Sequence, residues 1–191
     1  MKHFKIFASL AVAAVTTMGF AASASATSIT TTTGGAAATP SIHAVNEGGH
    51  VTFTNSIANI ECSSTIEGSI IEHGAGEPAE WELSSLSFTG CTNSWHVTVT
   101  ALGTLSINWT SGHNGSVVSN GTKITTTRLG VTCNYVTNGT GVGTLTGGAT
   151  ATLDLSASIP LGAGSSGLCS KTGNAKWSGA YVTTSSLYVA S

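Results

Sequence analysis

Charge is what this chain most lacks. Charged residues fill 7% of its 191 positions, aromatic residues 6%, and proline occurs three times. Asp154 is the only aspartate, so the closely spaced Asp and Asn oxygens of a calcium loop cannot be assembled. From residue 27 onward Lys123, Arg128, Lys171 and Lys176 stand against Glu47, Glu61, Glu67, Glu72, Glu77, Glu80, Glu82 and Asp154, a net charge of −4. Nucleic acids and anionic membranes require clustered Lys and Arg, and none are here. No two cysteines have the short spacing of a zinc knuckle, no Gly-x-Ser-x-Gly elbow occurs, and no segment keeps a 3.6-residue apolar period. The chain also lacks an apolar run of the roughly 20 residues that a membrane-spanning helix needs.

The amino terminus carries the clearest positive signal. Lys2 and Lys5 precede an apolar run over residues 6–20, and Ala24-Ser25-Ala26 supplies small residues for cleavage. That order predicts a secretory signal peptide of bacterial style over residues 1–26 and an exported protein, extracellular, on the outer cell surface or periplasmic. Residues 27–47 contain little charge and little to bury, and read as a flexible or strand-donor arm. A single all-β domain is expected over residues 48–191.

Thr, Ser and Gly make up nearly half of the exported part, 29, 23 and 23 residues. Disordered chains share such a bias, but they lack interspersed aromatic and β-branched residues. Phe53, Trp81, Phe88, Trp95, Trp109, Tyr135, Trp177, Tyr181 and Tyr188 are spread over the whole length, which implies a folded domain with Thr on solvated strand faces. Alternation begins at His50-Val51-Thr52-Phe53-Thr54 and recurs at Trp95-His96-Val97-Thr98-Val99-Thr100. Further runs cover residues 104–110, 123–127, 131–136, 149–159, 175–182 and 187–190. Asn114-Gly115, Asn120-Gly121 and Asn138-Gly139 read as type I′ hairpin turns. Residues 78–83 offer the best helical stretch and are too short to matter. The expected fold is an antiparallel β-sandwich or flattened barrel of about ten strands.

Cys62, Cys91, Cys133 and Cys169 all lie in the exported part, and an even count there reads as disulfides. Three pairings are open. Cys62–Cys91 and Cys133–Cys169 are favoured because their separations are similar, each stapling one half of the domain.

Chemistry is sparse. His96 lies inside an alternating run, His113 in a turn, and His43, Glu47 and His50 have metal spacing only on a helix that Gly48-Gly49 opposes. A glycan hydrolase would draw its two opposed carboxylates from the cluster between Glu61 and Glu82. Sequons at Asn108, Asn114, Asn120 and Asn138 coincide largely with turn signals. Trp109 and Trp177 have spacings that place them on core-facing rows. No catalytic, cofactor or metal residues are assigned, and no cofactor is expected.

The segments Leu86-Ser87-Phe88-Thr89-Gly90-Cys91, Leu168-Cys169 and Trp177-Ser178-Gly179-Ala180-Tyr181, with the strands over 97–103 and 105–110, resemble small secreted bacterial Thr/Gly-rich proteins, including protein activators of alkane oxidation. The resemblance implies a non-enzymatic secreted protein. The function expected is therefore non-catalytic: adhesion, surface activity or extracellular matrix assembly, through self-association or contact with cell-surface or hydrophobic material. The alternative is a carbohydrate-binding module or a glycan hydrolase.

Overall fold

The structure, a computed structural model, describes residues 26–55, 57–74, 76–169 and 173–191. Nearly all of the expected signal peptide therefore lies outside the described residues. The strands begin with β1 (Ser28–Thr30), β2 (Ser41–Asn46), β3 (Val51–Thr54), β4 (Asn59–Ile71) and β5 (Ala79–Thr89). Then come β6 (His96–Ala101), β7 (Thr104–Ser111), β8 (Asn114–Asn120), β9 (Lys123–Arg128) and β10 (Val131–Val136). The last are β11 (Thr140–Thr146), β12 (Thr152–Pro160), β13 (Asn174–Thr183) and β14 (Tyr188–Ala190).

These segments form fewer staves than their number implies. β2 and β3 share one position, both lying between β4 and β13 and separated by a 3-10 turn at Glu47–Gly49. From β4 the hydrogen-bonded order passes through β5, β7, β8, β11 and β12 to β13, where it closes. Every neighbouring pair is antiparallel, so the chain builds an up-and-down barrel of eight staves, an architecture that leaves few open edges.

Three staves continue below the barrel as β6, β9 and β10. Ser119 faces Thr140 and Lys123 faces Val136, four residues further along on both strands. Likewise Thr104 faces Asn120 and Ala101 faces Lys123, three residues apart on both. The register thus carries through each break, and the β6–β9–β10 sheet is the lower half of the same staves, bent away from the rest. Gly103, Gly121 and Gly139 sit at the bends with φ of +63°, +77° and +60°, left-handed values that favour glycine. A Cβ on Gly103 would lie 2.3 Å from the Asn120 carbonyl oxygen, so the crossing strands also need its missing side chain. Buried hydroxyls tie the corner: Ser119 Oγ lies 2.9 Å from both Thr122 Oγ1 and Thr137 Oγ1, and Thr122 Oγ1 donates to the Leu102 carbonyl.

Alternation fills the interior. Ile60, Cys62 and Ile66 of β4, Trp81 and Leu83 of β5, Leu153, Leu155, Ala157 and Ile159 of β12, and Trp177 and Tyr181 of β13 are all buried. Each large apolar side chain so placed contributes about 1.5–3 kcal/mol. Tyr181 is the polar exception, and its hydroxyl donates to Ser64 Oγ, which in turn donates to the Ser87 carbonyl. Below, the bent sheet lies across from the wall: Tyr135 meets the Phe53 ring edge-on at 5.1 Å and accepts a hydrogen bond from Asn55 Nδ2.

Several expectations change. The fold is all-β with two disulfides, but among the described residues twelve of its fourteen strands make eight staves, and β1 and β14 form a separate ribbon. Residues 27–47, expected as a flexible or donor arm, supply β1 and β2. Ile42 and Ala44 alternate inward on β2, and β1 pairs with β14 so that Ile29 is fully buried. Residues 79–83 belong to strand β5 rather than to a helical turn. Neither Asn120-Gly121 nor Asn138-Gly139 turns a hairpin; both bend continuous staves. Asn114-Gly115 lies inside β8, and the hairpin there turns on Gly112 and His113. Both disulfides have the expected pairing, yet they act on one region. Cys62–Cys91 ties β4 to the lead-in of β6, and Cys133–Cys169 ties β10 to the β12–β13 connection.

Candidate functional site

Bending three staves away from the barrel leaves a seam on each side of them. On the β10 side the chain after β12 closes it, through Gly162 N to Asn134 O and Ser166 N to Thr132 O, each 2.7 Å, and a bridge between Tyr135 and Leu161. The seam on the β6 side stays open. Among the described residues, β5 below Leu83 pairs only with β4, and β6 pairs only with β9. Between them lies a cleft of about 700 Å³ lined by Phe88, Cys91, Trp95, His96 and Val97, among others. Trp95 and Val97 are buried at its base, while His96 and Thr98 face solvent.

A second groove, of about 480 Å³, shares Ser94 and His96 with the first and runs to the β9–β10 turn, past Arg128, Leu129 and Val131. Arg128 faces Val131 across that turn, so Leu129 and Gly130 form a two-residue loop, with φ of +47° and +79°. Two left-handed residues in succession are what a type I′ hairpin needs, and Asn-Gly normally provides them. Here the first position holds a leucine that is 91% exposed. A left-handed conformation costs an ordinary side chain about 1–2 kcal/mol. Asn93 and Ser94 also have positive φ, and with Leu129 they are the non-glycine residues of this kind among the described residues. All three fall beside one groove system, the clustering that strained backbone shows at functional surfaces.

The other sequence candidates are scattered. His43 lies 3.7 Å from Glu67 and His73 lies 3.2 Å from Glu80, both at the surface. Glu67, Glu80 and Glu82 share the outer wall of the barrel at β4 and β5 and do not face one another across a cleft. Glu72 stands apart, accepting the Ile29 N–H at 2.7 Å; loss of water at that rim raises its carboxyl pKa, against the effect of this bond and of nearby His73. His113 packs edge-on to Tyr188. His43, Glu47 and His50 do not converge, and no cluster of three metal-ligating side chains occurs among the described residues. Cys62, Cys91, Cys133 and Cys169 are all taken up in the disulfides.

Trp81, Trp95 and Trp177 are buried, as is most of the expected core, but Trp109 is 39% exposed. Its row does point inward, yet the ladder shifts register just beyond it, and Val189 of β14 packs against Gly115, the residue opposite it. The terminal ribbon thus takes the space above Ile107, and Trp109 stays on the rim with its Nε1 donating to the Gly112 carbonyl.

Sequence reasoning missed the Leu129 tip. The available signal was the three-residue gap, Arg128-Leu129-Gly130, between the alternating runs 123–127 and 131–136, with glycine last. Comparison with protein-family profiles, with curated proteins and with solved structures gave no match.

Proposed function

We propose that this chain is a non-catalytic secreted or cell-surface protein that attaches to apolar material through the Leu129 tip. The observation carrying this reading is that one position bears two costs at once: a left-handed leucine and an apolar side chain held in water. Asparagine there would remove both. A leucine kept at the apex of a disulfide-anchored hairpin is accounted for by what it touches. Val131 and the Arg128 stem flank it, and the low charge of the body offers little repulsion to an approaching surface. Two disulfides fit an oxidising compartment, and no helix among the described residues is long and apolar enough to cross a membrane.

The test separates contact from folding. Leu129→Asn relieves the turn, so its stability to denaturant should rise by about 0.5–1 kcal/mol. Retention on hydrocarbon droplets or alkyl-coated beads should fall about tenfold, the loss expected from one buried leucine. Equal retention of the two proteins would remove the reading.

A further inference from the structure

We propose that the open edge of β6 is a self-association site, at which two copies of this chain pair β6 to β6 across a two-fold axis at Thr98. This reading goes beyond the Leu129 contact and does not depend on it. Across the seam the lower part of β5 is also unpaired on that side, but the molecule covers the edges of β10, β1 and β14 by specific means. β10 is covered by residues 161–169 and a disulfide, the β1 amide of Ile29 is taken by Glu72, and the β14 amide of Val189 donates to the His113 carbonyl. Edge strands that must stay unpaired usually carry Lys, Pro or an inward charge. His96-Val97-Thr98-Val99-Thr100 carries no Lys, Pro or acid, and its outer row of alternate N–H and C=O groups has no ladder partner among the described residues.

The segment also complements itself. With Thr98 on the axis of an antiparallel pair, Val97 of one copy faces Val99 of the other, Thr98 faces Thr98, and His96 faces Thr100. Apolar meets apolar on the buried face, β-branched side chains oppose one another, and no like charges meet. The register shift between Val99 and Ala101 breaks the regular alternation just above this stretch, so the contact is short and isologous, closing at two copies. Joined this way, the two lower sheets become one six-stranded sheet. The occupant is thus a second copy, because a foreign strand would have no reason to match this alternation about its own centre.

Sedimentation velocity over a hundredfold concentration range tests the pairing in the oxidised protein, with two single variants. Thr98 is exposed and faces Thr125 within its own sheet, so Thr98→Lys leaves the monomer's core untouched while setting two ammonium groups against each other at the axis. Directly opposed residues in an antiparallel pair have Cα atoms about 4.5–5.5 Å apart, within reach of a disulfide, so Thr98→Cys should cross-link copies under mild oxidation. Ser158→Cys, exposed on β12, is the control. The expected result is a wild-type dimer at high concentration, a Thr98→Lys monomer, a covalent Thr98→Cys dimer and little cross-linking of the control. Leu129→Asn should dimerise like wild type. A wild type that stays monomeric, a Thr98→Lys protein that dimerises equally well, or Thr98→Cys cross-linking no faster than the control overturns the proposal. So does a dimer lost in Leu129→Asn, which would move the contact to the tip.

Discussion

The two seams beside the bent sheet are made by one event and finished differently. Each arises because three staves leave the barrel at Gly103, Gly121 and Gly139. Thirteen residues, 161–173, join β12 to β13, and this connection can spare a segment to lie against β10, where Ser165 and Ser166 also accept the Asn134 and Thr132 amides. Only six, 90–95, join β5 to β6; they are spent on a 3-10 turn and on bringing Cys91 to Cys62. Connection length therefore decides which edge can be covered. Closing a seam takes chain, hydrogen bonds and a cross-link together, and the seam lacking spare chain is the one whose edge stays available.

The largest expected effect comes from opening the closed seam. Replacing Cys133 and Cys169 by Ala removes a cross-link spanning 36 residues, and stability to denaturant should fall by about 3–4 kcal/mol. Amide exchange along β10 should then approach that of the free β6 edge. Removing Cys62 and Cys91 should cost a similar about 3 kcal/mol but leave β10 as protected as before. If β10 keeps its protection without its own disulfide, the backbone bonds of residues 161–169 alone hold that seam, and the contrast rests on chain length only.

A smaller effect tests the anchor behind the same seam. Burial raises the Tyr135 phenol pKa, the bond from Asn55 opposing, so the group stays neutral and joins the bent sheet to the end of β3. Tyr135→Phe keeps the ring against Phe53 and deletes that bond, an expected loss of about 0.5–1.5 kcal/mol by denaturant titration. No change would mean that ring packing alone holds the closed side.

What the sequence disclosed follows from what leaves a local trace. Alternation in residues 96–100, 104–110 and 131–136 is local, and each run proved to be strand. Cysteine separation is a property of the chain as well, and the favoured pairing stands. The bends left a misleading trace, since Asn120-Gly121 and Asn138-Gly139 have the composition of hairpin turns, whereas the register continues through them. Whether a left-handed glycine reverses a strand or tilts it depends on the partner strand, which lies elsewhere in the chain. Trp109 shows the same limit: its row is correctly inward, but it lies above the last level that β14 leaves open. Leu129 left no trace by residue type, because leucine does not announce a positive φ. The open seam could not be read at all, since it consists of hydrogen bonds that β5 and β6 do not make to each other.

The smallest effect concerns a third closure, intermediate between the two seams, where one carboxylate takes the place of a covering segment. At the barrel rim Glu72 Oε1 accepts the Ile29 amide and so holds β1 beside β14. Desolvation raises the Glu72 pKa, while the Ile29 bond and His73 pull it down. A folded-state pKa above the unfolded one means that the native protein binds this proton more tightly than the unfolded chain does. The stability it contributes is therefore complete below the unfolded value and is lost as pH rises through the folded value. Glu72→Gln keeps an oxygen acceptor for Ile29 and cannot titrate. Stability of wild type relative to this variant should accordingly decline as pH climbs through the window just above the ordinary glutamate pKa, and be level on either side. Parallel urea titrations of the two proteins at closely spaced pH values give that difference directly. A flat difference would show that the rim stays wet at Glu72, and a difference rising with pH would show that the Ile29 bond outweighs desolvation, placing this closure nearer to the sealed seam than to the open one.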